Sequence, residues 1–151
     1  MISVKRTNSK DVDFIALVKE LDAYLKIIDG DEHAFYNQYN NIDILKHTVV
    51  LFSNQEPVAC GAFKVFDENS VEIKRMYTKP KYRGNGFAAK VLKALEYWAK
   101  ELNYKACILE TGKRQIEAVE FYKKNNYTII PNFGQYQNVA NSICFKKNIE
   151  G

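Results

Sequence analysis

The sequence predicts an α+β (mixed sheet) domain: a central, mostly antiparallel sheet with one parallel β-α-β crossover and helices on both faces. Three observations carry this. Strand-like runs follow one another from His47 to Thr78 with only short polar turns between them. Two later segments repeat apolar residues at helical spacing, and each leads into a short apolar run. No repeat, low-complexity tract or Pro/Gly/Ser-rich linker divides the 151 residues, so 1–151 is expected to be a single domain.

Taken in order, "ISVKRTN" alternates as a first strand, and Phe14, Leu17, Val18, Leu21 and Leu25 then predict a helix from about Asp11 to Leu25. The segment "KIIDGDEHAFYNQYNN" is polar, aromatic and irregular. "HTVVLFS", "PVACGAFKVF" and "SVEIKRMYT" read as three successive antiparallel strands, closed by "NQE" and "DEN". Phe87, Val91, Leu95, Trp98, Ala99 and Leu102 share one helical face, with Asn103 as the stop. "KACILET" is a short buried strand, "RQIEAVEFYKKNN" a second amphipathic helix, and "YTIIPNF" and "NSICFKK" are closing strands. The unit from "VEIKRMYT" to "KACILET" should be a right-handed parallel crossover.

Composition narrows the function. Hydrophobic residues make up 46% and charged residues 26% of the chain, as in folded globular proteins, and ten Tyr and nine Phe exclude a disordered chain. A surplus of 22 Lys and Arg over 18 Asp and Glu is mild and dispersed, so no nucleic-acid partner is expected. Cys60, Cys107 and Cys144 are odd in number and sit in apolar runs, as small buried hydrophobes do. With His33 and His47 the only histidines and no CxxC or HxxxH spacing, no metal site is expected. The N-terminus has no apolar signal region and no run approaches membrane-spanning length, so the expected location is the cytoplasm, with no membrane partner.

The chemistry concentrates in "YRGNGFAAKVLKALEYWAKEL". The first N–H groups of a helix lack intrahelical partners and the helix dipole adds positive charge there, so a bare loop at that point makes an anion site. Gly84 and Gly86 leave the backbone bare, and Lys81 and Arg83 add charge. A plain strand-to-helix turn uses glycines in the same way. The P-loop pattern GxxxxGK[ST] is absent. "GNGFAA" fits GxGxxG/A formally, with Glu110 about where a ribose-binding acid would stand, but "KPKYR" separates it from its strand and no second mononucleotide half follows.

"RGNGFA" also matches R/Q-x-x-G-x-G/A, and with the strand "SVEIKRMYT" before it and "RQIEAVEFYKKNNY" after it the sequence resembles the GCN5-related N-acetyltransferase (GNAT) superfamily over about half its length. The resemblance implies a GNAT-like acyl-CoA N-acyltransferase fold with acetyl-CoA as co-substrate. It implies that the amides of Arg83, Gly84, Asn85, Gly86, Phe87 and Ala88 hold the pyrophosphate, and that Met76, Tyr77 and Thr78 pair with the pantetheine arm. A bulge near Arg75 is expected, and the amide of Met76 would polarise the thioester carbonyl. Ala118 would admit the cofactor and Tyr122 would act as general acid toward the departing thiolate. Gln115 stands where the family often has Asn, and Asn126 replaces the usual helix-ending Gly, a residue type that enters left-handed conformations readily.

An amine acceptor must lose a proton before it attacks, and Glu72, beside the expected thioester, is the candidate base, through water; the competing role is a surface carboxylate paired with Lys74 or Lys64. Direct transfer in a ternary complex needs no covalent intermediate. The acceptor pocket is expected from the first helical region and the C-terminal strands, where Tyr24, Asp29, Asp31, Glu32, Tyr36, Tyr39 and Tyr136 would form an acidic, aromatic surface for a small-molecule amine. A non-catalytic CoA- or nucleotide-binding module and acetylation of a protein amino group are the alternatives. Exposed C-terminal edge strands leave room for a homodimer.

Overall fold

The computed structural model describes residues 1–30 and 45–150, the side chain of Asp29 excepted. Among the described residues, seven strands and three α-helices follow one another: β1 (Ile2–Thr7), α1 (Val12–Asp29), β2 (His47–Ser53), β3 (Glu56–Val65), β4 (Ser70–Thr78), α2 (Phe87–Glu101), β5 (Ala106–Gly112), α3 (Ile116–Lys124), β6 (Thr128–Ile130) and β7 (Ser142–Asn148). They form one mixed sheet in the order β1-β2-β3-β4-β5-β7-β6, antiparallel except where β4 meets β5. The parallel crossover expected from the sequence is therefore present, with α2 as its helix.

Each helix starts and stops for a local reason. Asp11 caps α1 by accepting hydrogen bonds from the amides of Asp13 and Phe14 at 2.9 and 3.0 Å. That helix runs four residues past Leu25, to Asp29, and Gly30 with φ of 55° ends it. Beyond α2 and α3, Asn103 and Asn126 take φ of 73° and 74°, the left-handed conformation expected of Asn126.

Two cores sandwich the sheet. On one face Phe14, Leu17, Val18 and Leu21 of α1 pack with Val50, Cys60, Ala62 and Tyr77. On the other, Val91, Leu92 and Leu95 of α2 and Val119 and Tyr122 of α3 pack with Val71, Ile73, Leu109 and Phe145. All three cysteines are buried free thiols.

The interruption expected near Arg75 is a bulge. Lys74 pairs with Ala62 and Tyr77 with Cys60, so Arg75 and Met76 together oppose Gly61, and Arg75 takes φ of 60°. The extra residue resets the alternation: Val71, Ile73 and then Met76 face the α2/α3 core, while Tyr77 faces α1. Gly61 makes this possible, since a Cβ there would lie 2.5 Å from Met76 Sδ and 2.9 Å from side chains of Leu95 and Val91.

One further irregularity prepares the site. The β4–β5 ladder covers only Ser70–Glu72 against Ala106–Ile108. Past that point β4 continues with β3, β5 continues with β7, and the middle of the sheet opens.

Candidate active site

Two cavities meet in this opening. A cleft of about 620 Å³ runs from the loop before α2 along β4 to α3, and a smaller cavity of about 120 Å³ lies between Glu72–Met76 of β4 and Glu110–Gly112 of β5. Leu21, Met76, Gln115, Ala118 and Tyr122 line both, so the two spaces share a wall.

The cleft's outer end is built by the loop. Residues 80–82 form a 3₁₀ turn, and Gly84 and Gly86 then take φ of 82° and 76°. Gly86 is the N-cap of α2 and supplies no side-chain cap. The first backbone bond into the helix runs from the Lys90 amide to the Gly86 carbonyl, at 3.1 Å. No backbone carbonyl among the described residues accepts from the amides of residues 84–89. A Cβ added at either glycine would meet nothing within 4 Å. These glycines thus answer to left-handed backbone geometry beside open space rather than to crowding. Unpaired amides, a positive dipole end and an open face suit an anion such as a diphosphate.

Arg83 flanks this end in a held position. Its Nε donates to the Thr78 carbonyl at 3.0 Å, and its guanidinium lies 5.4 Å from the Tyr24 ring and 5.9 Å from the Tyr77 ring. Tyr24, expected at the acceptor pocket, therefore lines the larger cleft with Arg83. Phe87, Ala88, Met76, Tyr77 and Thr78 also line it. Asn85 sits in the loop, its side chain turned back to donate to the Tyr82 carbonyl at 3.0 Å. Tyr77 reaches the other way, donating to Glu20 at 3.1 Å, and burial together with that carboxylate pushes its phenol up to about 12.

Around the smaller cavity the groups are titratable and largely buried. Glu72 is 3% exposed, so it is not a surface carboxylate, although it does pair with Lys74 at 3.5 Å. Burial lowers the Lys74 ammonium's pKa, against the opposing pull of Glu72. Arg75 turns to α1 and pairs with Asp22 at 2.6 Å. Tyr136 is buried, and its phenol is raised by burial first and then by the fields of Glu110 and Glu72. Tyr122, 6% exposed, sits among Phe121, Tyr127 and Phe145, and burial raises its pKa. Its hydroxyl therefore stays protonated across the neutral range.

Asp31, Glu32, Tyr36 and Tyr39, expected near the acceptor, lie outside the described residues, as does the side chain of Asp29. Conversely, the structure brings to the cavity Glu110, weighed in the sequence only as a ribose-binding acid, and Thr111, which the sequence had not marked. Glu110 lines it and accepts from the Ser142 hydroxyl at 2.6 Å, and Thr111 lines it with a buried hydroxyl that has no partner. The available signal was an acid and a hydroxyl closing the apolar strand "KACILET". No group of three or more His, Cys, Asp or Glu residues among the described residues is placed to hold a metal ion.

Residues 15–127 match the model of the acetyltransferase (GNAT) family. A Klebsiella pneumoniae protein, provisionally assigned as an acyl-CoA N-acyltransferase, has a structure that superposes with a TM-score of 0.83 at 30% identity, over 99% of each chain. An IAA acetyltransferase of Azospirillum brasilense is 28% identical over 141 residues, 89% of this chain and 90% of its own. The fold is shared with a GNAT acetyltransferase from Elizabethkingia anophelis, solved with acetyl-CoA bound: TM-score 0.72, 16% identity, 97% of both chains.

Proposed function

The chain belongs to the acetyltransferase (GNAT) family, and we propose that it transfers an acetyl group from acetyl-CoA to the primary amine of a small molecule. The observation that carries this reading is the wall the two cavities share, Tyr122 included, with unpaired amides at the far end of one and a buried carboxylate in the other. A long phosphate-bearing co-substrate fits the first, and an amine beside a base fits the second. The acetyl-CoA complex of the Elizabethkingia protein supports the choice of acyl donor.

In this reading the amides of residues 84–89 receive the diphosphate, with Arg83 alongside. The edge of β4 past Glu72, which has no strand partner on its β5 side, pairs with the pantetheine arm. Met76, lifted by the bulge, borders the thioester, and its amide stabilises the oxyanion as the carbonyl becomes tetrahedral. Glu72 takes the proton that the ammonium must lose, directly or through one water. The neutral nitrogen attacks the carbonyl carbon and the C–N bond forms; the C–S bond then breaks, and the second proton that the nitrogen sheds passes to the departing thiolate, so that CoA leaves as the thiol. Tyr122 donates a hydrogen bond to the leaving sulfur. Because its pKa is raised above that of an ordinary phenol, the thiolate is the weaker base of the two, and the hydroxyl stabilises it without surrendering the proton fully.

The test follows CoA thiol release with a panel of amines for the native protein, Tyr122→Phe and Glu72→Gln. Both variants should lose about 10²-fold in kcat while retaining acetyl-CoA binding. Binding without amine-dependent release in the native protein would instead leave a coenzyme-binding module.

A further inference from the structure

Resting on that reading, the end of α3 assigns a task to a residue that touches neither substrate. We propose that Tyr127 is a positioning residue: clamped to α2 through Glu96, it holds the Tyr122 ring so that the Tyr122 hydroxyl meets the departing sulfur. Among the described residues no group donates to or accepts from that hydroxyl, and burial alone raises its pKa. Its aim therefore depends on how the ring is packed.

The cap of α3 brings the two tyrosines together. Asn126 takes φ of 74°, and the chain turns back there. The Tyr127 amide then donates to the Tyr122 carbonyl at 3.0 Å, and the Asn126 amide to the Lys123 carbonyl at 3.2 Å. This pair of bonds is a Schellman closure, which sets the residue after the left-handed one against the residue five before it. The two rings meet edge to face, their centroids 5.7 Å apart and their planes at 69°.

Among the described residues, the rings of Phe121, Tyr127 and Phe145 pack on Tyr122, and of these only Tyr127 carries a polar group. That group is tied down. It donates to Glu96 at 2.8 Å, and the other oxygen of Glu96 accepts from Lys147 at 2.9 Å. The Lys147 ammonium also lies 5.7 Å from the Tyr127 ring. Tyr127 is 3% exposed and the Glu96 side chain 12%, so water competes little for these bonds. Burial above all, with Cys107 and Glu96 adding to it, holds the Tyr127 phenol well above its ordinary value. The tether thus stays protonated across the neutral range. Because Glu96 belongs to α2, whose first amides receive the diphosphate, the clamp fixes Tyr122 relative to the anchored end of the co-substrate.

The experiment compares Tyr127→Phe, which keeps the ring and removes the tether, with Tyr127→Leu, which removes both. Lys147 keeps Glu96 paired in each. Both are made alone and combined with Tyr122→Phe. Amine-dependent CoA release gives kcat and KM, urea unfolding gives stability, and NMR of ring-labelled tyrosine gives the flip rate of the Tyr122 ring. Alone, Tyr127→Phe should lower kcat about threefold and Tyr127→Leu about tenfold or more, with the KM for acetyl-CoA unchanged. In the Tyr122→Phe background neither should lower kcat further, whatever it does to stability. The Tyr122 ring should flip faster in Tyr127→Phe than in the native protein. An equal loss of kcat in the Tyr122→Phe background overturns the proposal, as does native kcat with a native flip rate in Tyr127→Phe, the variant that loses only a hydroxyl. Absence of amine-dependent release from the native protein overturns the transfer reading alone. The flip rate then decides the clamp by itself: a native rate in Tyr127→Phe overturns it, and a faster one upholds it.

Discussion

Arg75 holds a backbone conformation that costs a non-glycine residue about 1–3 kcal/mol, and its neighbours show what retains it. Its guanidinium is tied to Asp22, its carbonyl accepts from the Cys60 thiol, and Gly61 opposite leaves room for the displaced Met76. Gly61→Ala should therefore cost about 1–3 kcal/mol in denaturant unfolding and weaken acetyl-CoA binding as well, because Met76 borders both cavities. A stability loss with unchanged affinity would separate the bulge from the site. At this scale the sequence was only partly legible. The RGNGFA loop and the helix bearing Tyr122 announce themselves through residue types that have few other uses in that order. Glu110 and Thr111 do not, because an acid and a hydroxyl at a strand end look like solvent-facing residues until the parting of β4 and β5 is known.

The elements were more legible than the residues, since period and punctuation act locally. The helical spacing of Phe14 to Leu25 and of Phe87 to Leu102, and the asparagines at 103 and 126, mark pieces that the structure contains, although α1 continues to Asp29 because nothing before Gly30 stops it. What spacing could not supply is the end of a pairing: the β4–β5 ladder stops at Glu72 through tertiary geometry alone. The start of α2 offers the corresponding test. At Gly86 a Cβ would meet no neighbour, so Gly86→Ala carries only the backbone cost of φ 76°, roughly 1–2 kcal/mol per residue. The new methyl also stands beside the amides that face the cleft. Calorimetry should show acetyl-CoA affinity falling about tenfold or more, and an unchanged affinity would move the diphosphate elsewhere.

Over the whole molecule, the antiparallel run β2-β3-β4, the parallel step to β5 and the helix cover follow the reading of the sequence, because short turns and one long crossover leave few other arrangements there, whereas the place of β7 between β5 and β6 had no local signal. The described residues include no helix long and apolar enough to cross a membrane. Far from the cavities, His47 stacks on Phe63 at 4.7 Å and meets the edge of Trp98 at 4.8 Å, joining β2 and β3 to α2. Burial first, and then Lys46, lowers its pKa, so the folded state resists protonation that the unfolded chain accepts. Its contribution is complete above the ordinary imidazole value of about 6.5 and is lost progressively as pH falls below it. Melting temperatures should accordingly drop between pH 7 and 5, and His47→Phe should flatten that slope. An identical slope in the variant would assign the effect to other groups.

The gap between β4 and β5 has a consequence for how such a scaffold diversifies. Its walls come from opposite faces of one sheet, Glu72 and Tyr136 on the α1 side and Ala118 and Tyr122 on the α3 side. Under the proposed transfer reaction, substitutions at the front would retune which acceptor is welcomed, while the back keeps its grip on an unchanging partner. One chassis can thereby acquire new clientele without rebuilding its engine.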